Sequence, residues 1–86
     1  MDSQEIVRQI AKAVEPLFTK EKNTLYEVHI IQQSYSGRIN VFFEWHRMGR
    51  ATVSRPITVL PDDYRHKLDV IARQLEDATQ IKVTVS

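Results

Sequence analysis

Apolar residues recur at two different periods along this 86-residue chain, and each change of period marks a new element. From Ile6 to Phe18 the spacing is helical. Ile6, Ile10, Val14 and Leu17 fall on one side, widened by Val7, Ala11 and Phe18, while Gln4, Arg8, Gln9, Lys12 and Glu15 fall on the other. Asp2 with Glu5 three residues later makes an acidic capping box. Pro16 removes a donor and clashes with the preceding turn, so a kink or fresh start is expected near Glu15. Residues 20–23 end the element, with cations suited to a helix C-terminus.

At Leu25 the period switches to two. Tyr26, Val28 and Ile30 alternate with Leu25, Glu27, His29 and Ile31; after a turn within residues 34–37, Ile39, Val41, Phe43 and Trp45 alternate with Asn40, Phe42, Glu44 and His46. A third strand follows a turn at Gly49. Pro56 cannot donate to a ladder, which makes this strand an edge or ends its regular part. Residues 57–60 either prolong it or lead into the next helix. Pro61-Asp62-Asp63 starts that helix, with proline in the first turn and carboxylates at the positive end of the dipole. Tyr64, Leu68, Ile71 and Leu75, with Ala72 and Ala78, form its buried stripe; Arg65, His66, Asp69, Arg73 and Glu76 form a solvated rim. Ile81, Val83 and Val85 then alternate with Lys82 and Thr84 in a short last strand, set parallel to the third by a right-handed crossover.

Register follows from turn chemistry and charge. A two-residue turn at Ser36-Gly37 opposes Val28 to Trp45 and Ile30 to Phe43 on one face. On the other it opposes Glu27 to His46, His29 to Glu44, Ile31 to Phe42 and Gln33 to Asn40. A four-residue turn would set Glu27 against Glu44, a like-charge pair, so the shorter turn is preferred. A three-residue loop Arg47-Met48-Gly49 gives glycine the positive φ and pairs Trp45 with Ala51, Phe43 with Val53, His46 with Arg50 and Glu44 with Thr52.

The expected fold is therefore one α+β domain over residues 1–86. It is a two-layer sandwich of order α-β-β-β-α-β, whose mostly antiparallel sheet has both helices on the Trp45 face. Composition narrows the class further. With 42% hydrophobic residues the chain is a folded domain near the lower size limit for a single core. The absence of cysteine excludes disulfides and thiolate metal sites and leaves the cytoplasm as the expected setting. No run approaches the ~20 apolar residues of a membrane span. Net charge is only +1, but residues 38–56 hold Arg38, Arg47, Arg50 and Arg55 against Glu44 alone, so the positive excess lies on the sheet.

Chemistry concentrates on the face left open by the helices. Glu27, His29, Glu44 and His46, with Arg50 alongside, are residue types that suit zinc ligation or acid–base work, and also plain charge pairs that hold register. Leu25, Ile31 and Phe42 are apolar on the same face and form a contact patch rimmed by those polar groups. The arginines, interleaved with Tyr35 and Phe42, suit phosphate contact and base stacking. Two separated glycines rule out a phosphate-cradling loop, and no serine has a nucleophile-elbow context.

The order α-β-β-β-α resembles that of double-stranded-RNA-binding domains, although Asp62-Asp63 opens the second helix where that family presents basic residues. The full order resembles the core of type III secretion chaperones, dimeric proteins that bind peptides. Both are resemblances of layout, and no site residue is carried over from either.

The reading is a small non-catalytic protein-interaction module. Its protein partner, or a second copy of the chain in a homodimer, is expected to bind through Leu25, His29, Ile31, Phe42, Glu44, His46 and Arg50, with no cofactor. A nucleic-acid module using Arg38, Arg47, Arg50 and Arg55 is the alternative. A metal-dependent enzyme using the Glu/His quartet is the weaker third.

Overall fold

Ile6, Val7, Ile10 and Val14 are all buried, and the helix that carries them, α1 (Ser3–Val14), stops just ahead of Pro16. Glu15–Leu17 continue it as one tighter 3-10 turn, and the Phe18 amide bonds back to the Val14 carbonyl at 3.0 Å. The missing proline donor is what changes the helix type. The computed structural model describes residues 3–33 and 37–86; the expected cap Asp2, and Ser34, Tyr35 and Ser36 of the first turn, lie outside the described residues.

Three antiparallel strands follow: β1 (Thr24–Gln32), β2 (Arg38–Arg47) and β3 (Val53–Pro61). A 3-10 helix (Asp62–Lys67) then leads into α2 (Leu68–Thr79), which buries Leu68, Ile71 and Leu75. The helix predicted from Pro61 onward thus opens in tighter 3-10 form, with Pro61 itself as the extended residue before it. Ala78, expected in the buried stripe, is exposed, and Ala72 is half-buried. Gln80 adopts the left-handed conformation that ends α2, its amide bonding the Glu76 carbonyl at 2.8 Å. β4 (Lys82–Val85) completes the sheet.

The strand order is β3-β2-β1-β4, and β4 lies parallel to β1. The architecture is the α+β sandwich expected, with a mixed, mostly antiparallel sheet. Val28, Ile30, Ile39, Val41 and Phe43 on one sheet face are fully buried against Ile10, Val14, Ile71 and Leu75 of the helices. Tyr26, Trp45, Val83 and Val85 are half-buried at the margin of this core. No helix among the described residues is long and apolar enough to cross a membrane.

Both predicted registers are corrected. In β1–β2, Val28 faces Phe43 and Ile30 faces Val41, with Glu27 opposite Glu44: the pairing that the charge argument rejected. Val28–Trp45, Ile30–Phe43, Glu27–His46, His29–Glu44, Ile31–Phe42 and Gln33–Asn40 are therefore not facing pairs. A slip of two residues keeps every side chain on its own face, so the hydrophobic pattern does not oppose it. The like-charge cost, roughly 0.2–1 kcal/mol, is set against contacts to β4 as well as to His29 of β1.

In β2–β3, Trp45 faces Val53, Glu44 faces Ser54 and Phe43 faces Arg55. The expected Trp45–Ala51, Phe43–Val53, His46–Arg50 and Glu44–Thr52 pairs are displaced by two residues. The turn closes through the Arg50 amide on the Arg47 carbonyl at 2.9 Å, with Gly49 at φ +80°. Nothing lies within 4 Å of a Cβ built on Gly49, so Gly49→Ala is expected to cost only its backbone strain. That is about 1 kcal/mol, or a melting temperature lower by some 4–8 °C in a thermal melt. A bulge between Val41 and Phe42 then shifts the ladder by one residue next to Pro56, and Thr58 comes to face Val41 and Leu60 to face Ile39. β3 is the edge strand that Pro56 predicts, and it continues past the proline.

Candidate functional site

Alternation sends Glu27, His29 and Ile31 of β1, Asn40, Phe42, Glu44 and His46 of β2, and Lys82 and Thr84 of β4 to the face away from the helices. No helix covers this face, and its centre is a polar network. His29 Nδ1 lies 3.6 Å from Glu44 Oε1, and its Nε2 is 2.8 Å from Ser86 Oγ. Thr84 Oγ1 donates to Glu27 Oε1 at 3.2 Å. Lys82 stands opposite Glu27 across the β1–β4 ladder. One donor atom each from Glu27, His29 and Glu44 lie within 4.8 Å of one another. The His29 and Glu44 side chains are 28% and 24% exposed, which leaves both reachable from solvent but held by neighbours.

These contacts explain how the register tolerates facing carboxylates. Glu27 accepts a hydrogen bond from Thr84, Glu44 lies beside His29, and Lys82 faces Glu27 across the β1–β4 ladder. Thr84 and Ser86 were not among the residues the sequence singled out. Alternation in β4 places them on the open face, but only the parallel pairing of β4 with β1 places them beside Glu27 and His29.

The expected quartet loses one member. His46 faces Leu25 and contacts Thr52 Oγ1 through Nδ1 at 3.3 Å, so it turns toward the β3 side and away from the acids. Leu25, Glu27, Glu44, His46, Thr52 and Lys82 border an open depression of about 490 Å³, of a size that takes a side chain or small ligand. The depression is open to one side, which suits docking more than enclosed chemistry.

The apolar residues divide into two groups. Ile31 and Phe42 lie diagonally adjacent, and Phe42 is flanked by Pro56 of β3 while Val59 of β3 faces Asn40. Pro56 joins this patch by alternation with Ser54, and Val59 joins it through the bulge, which alternation alone does not reveal. Leu25, 75% exposed, belongs to the other end with Met48. Six residues of β1 put the two apolar ends roughly 20 Å apart, with the acids and His29 between them.

The arginines do not converge. Arg38 opens β2 and Arg47 closes it, roughly 30 Å away along the strand. Arg47 is ion-paired with Glu21, Arg55 stands in the row of Phe43 on the opposite face, and Arg50 is exposed in the turn. Arg65, expected on the solvated rim, instead bonds Gln32 Oε1 at 2.8 Å and pairs with Asp62, tying the 3-10 helix to the end of β1.

A second depression, of about 510 Å³, lies between α1 and the end of α2, framed by Arg8, Lys12 and Lys20. Glu15 and the last turn of α2 share its rim, and Lys20 Nζ lies 5.6 Å from the Phe18 ring centroid. Neither a protein-family model, a curated protein nor a solved structure matches the chain.

Proposed function

We propose that this domain is a non-catalytic protein-interaction module that docks a partner protein across its open sheet face. The observation that carries this reading is the layout of that face: two apolar ends, Leu25 with Met48 and Ile31 with Phe42, Pro56 and Val59, separated by the Glu27–His29–Glu44 centre. Apolar anchors around a polar centre provide contact area and orientation together. A second copy laid on this face about a two-fold axis would bring four carboxylates together. The partner is therefore a different protein, one that sets apolar side chains on the two ends and a basic side chain over the acids.

Phe42→Asp is expected to weaken the partner by at least about 30-fold, the loss typical of an anchor worth ~2 kcal/mol. Glu44→Arg should weaken it as well. Val70→Asp serves as the control, because Val70 is exposed on α2, on the helical side. A partner captured by the native chain, purified and titrated against all three variants, should distinguish the two sides. Binding indifferent to Phe42 and Glu44, or lost with Val70→Asp, refutes the reading. A concentration-dependent dimer in sedimentation that Phe42→Asp abolishes would assign the face to a second copy instead.

A further inference from the structure

We infer that Glu27, His29 and Glu44 form a divalent-cation site of zinc-binding chemistry, with Ser86 and Thr84 as its outer supports. Zinc bonds of ~2.0–2.2 Å at tetrahedral angles set neighbouring donors about 3.4 Å apart. The 3.6 Å between His29 Nδ1 and Glu44 Oε1 already matches that separation and is too long for a hydrogen bond. With Nε2 carrying the proton and donating to Ser86 Oγ at 2.8 Å, Nδ1 keeps its lone pair toward the acids. Ser86 is a fixed acceptor, because its amide bonds the Ile30 carbonyl at 2.9 Å and its carbonyl accepts from the Gln32 amide at 3.0 Å. Glu27 Oε1 is likewise held by Thr84, and one oxygen of this carboxylate lies within 4.8 Å of the His29 and Glu44 donors. An imidazole oriented through its far nitrogen and a carboxylate held by a hydroxyl are the supports that metal ligands use.

The facing of Glu27 and Glu44 gives the same answer from electrostatics. Lys82 offsets part of that charge from the β4 side, and a divalent ion between the acids offsets the rest. One nitrogen among the donors favours zinc over magnesium or calcium, which take oxygen. Three protein donors leave a fourth position open toward solvent.

The test is calorimetric titration of the chelator-treated chain with zinc chloride near neutral pH. The expected result is one equivalent bound in the micromolar range or tighter. Affinity should be lost with His29→Ala and with the isosteric Glu44→Gln, fall roughly 10- to 100-fold with Ser86→Ala, and be unchanged with His66→Ala. Circular dichroism of each variant separates lost ligands from lost fold. No uptake by the native chain, or uptake that survives His29→Ala and Glu44→Gln together, overturns the inference. Zinc and a partner's basic side chain meet the same acids, but uptake by the isolated chain is independent of any partner, so each proposal can fail alone.

Discussion

Aspartate in place of Val41 is expected to leave the chain unfolded. Val41 lies in the interior strand β2, fully buried beside Ile30, and no buried polar or charged residue stands among the described residues to receive a carboxylate. A carboxyl group held neutral there by a shift of 3–5 pKa units still costs roughly 4–7 kcal/mol. A chain of this length has in total only about 4–13 kcal/mol of stability. The same substitution one residue along reads the opposite face. Phe42→Asp exchanges a half-buried surface contact for a solvated charge and should cost about 1 kcal/mol. Far-UV circular dichroism and urea titration of the two variants form one comparison. A folded Val41→Asp protein would contradict the division of faces on which the docking surface depends.

Phe43→Ala is the second large effect, and its expected cost is about 3–5 kcal/mol. Phe43 is fully buried and joins a run of rings: Tyr26 stacks on it at 5.9 Å and Trp45 lies tilted against it at 5.6 Å. Phe18 meets Tyr26 edge-on at 4.8 Å, so the run continues to the 3-10 turn after α1. Removing the central ring leaves a cavity and breaks two ring contacts of ~0.5–1.5 kcal/mol each. The melting temperature should fall by roughly 12–40 °C, given ~4–8 °C per kcal/mol at this size. Trp45 fluorescence should report a lower urea midpoint. An unfolding free energy within about 0.5 kcal/mol of the native value, against the ~3–5 kcal/mol loss expected, would show that the pocket closes over the loss.

What the sequence makes legible is side, and what it hides is neighbour. The helical stripe at Ile6, Ile10 and Val14 and the alternation through Val28, Ile30, Val41 and Phe43 depend on period alone, and each reappears as the core. Register is different, because pairings that differ by two residues preserve every face. Within β1 and β2 alone, Glu27 opposite Glu44 is a like-charge pair. Lys82 and Thr84 arrive from a strand more than fifty residues later in the chain, and no local pattern announces that β4 docks beside β1. The pairing of His46 with Thr52 and of Phe42 with Pro56 follows from the register that the Arg47–Arg50 turn sets, and the entry of Val59 into the apolar patch follows from the β3 bulge. Pro56 marks that irregularity without giving its direction. The open face was thus readable as a face, while the triad at its centre, with its Ser86 and Thr84 supports, emerges only from the assembled sheet.

The rims of the sheet have a consequence for how this protein can associate. Along the β3 rim, Pro56 lacks an amide hydrogen and the bulge breaks the spacing of the remaining groups. The other rim is only four residues long, and Glu76 of α2 reaches over to accept the Val83 amide at 3.2 Å. Neither margin offers an incoming strand a continuous row of free amides, so lateral addition into a growing fibril is blocked at both sides.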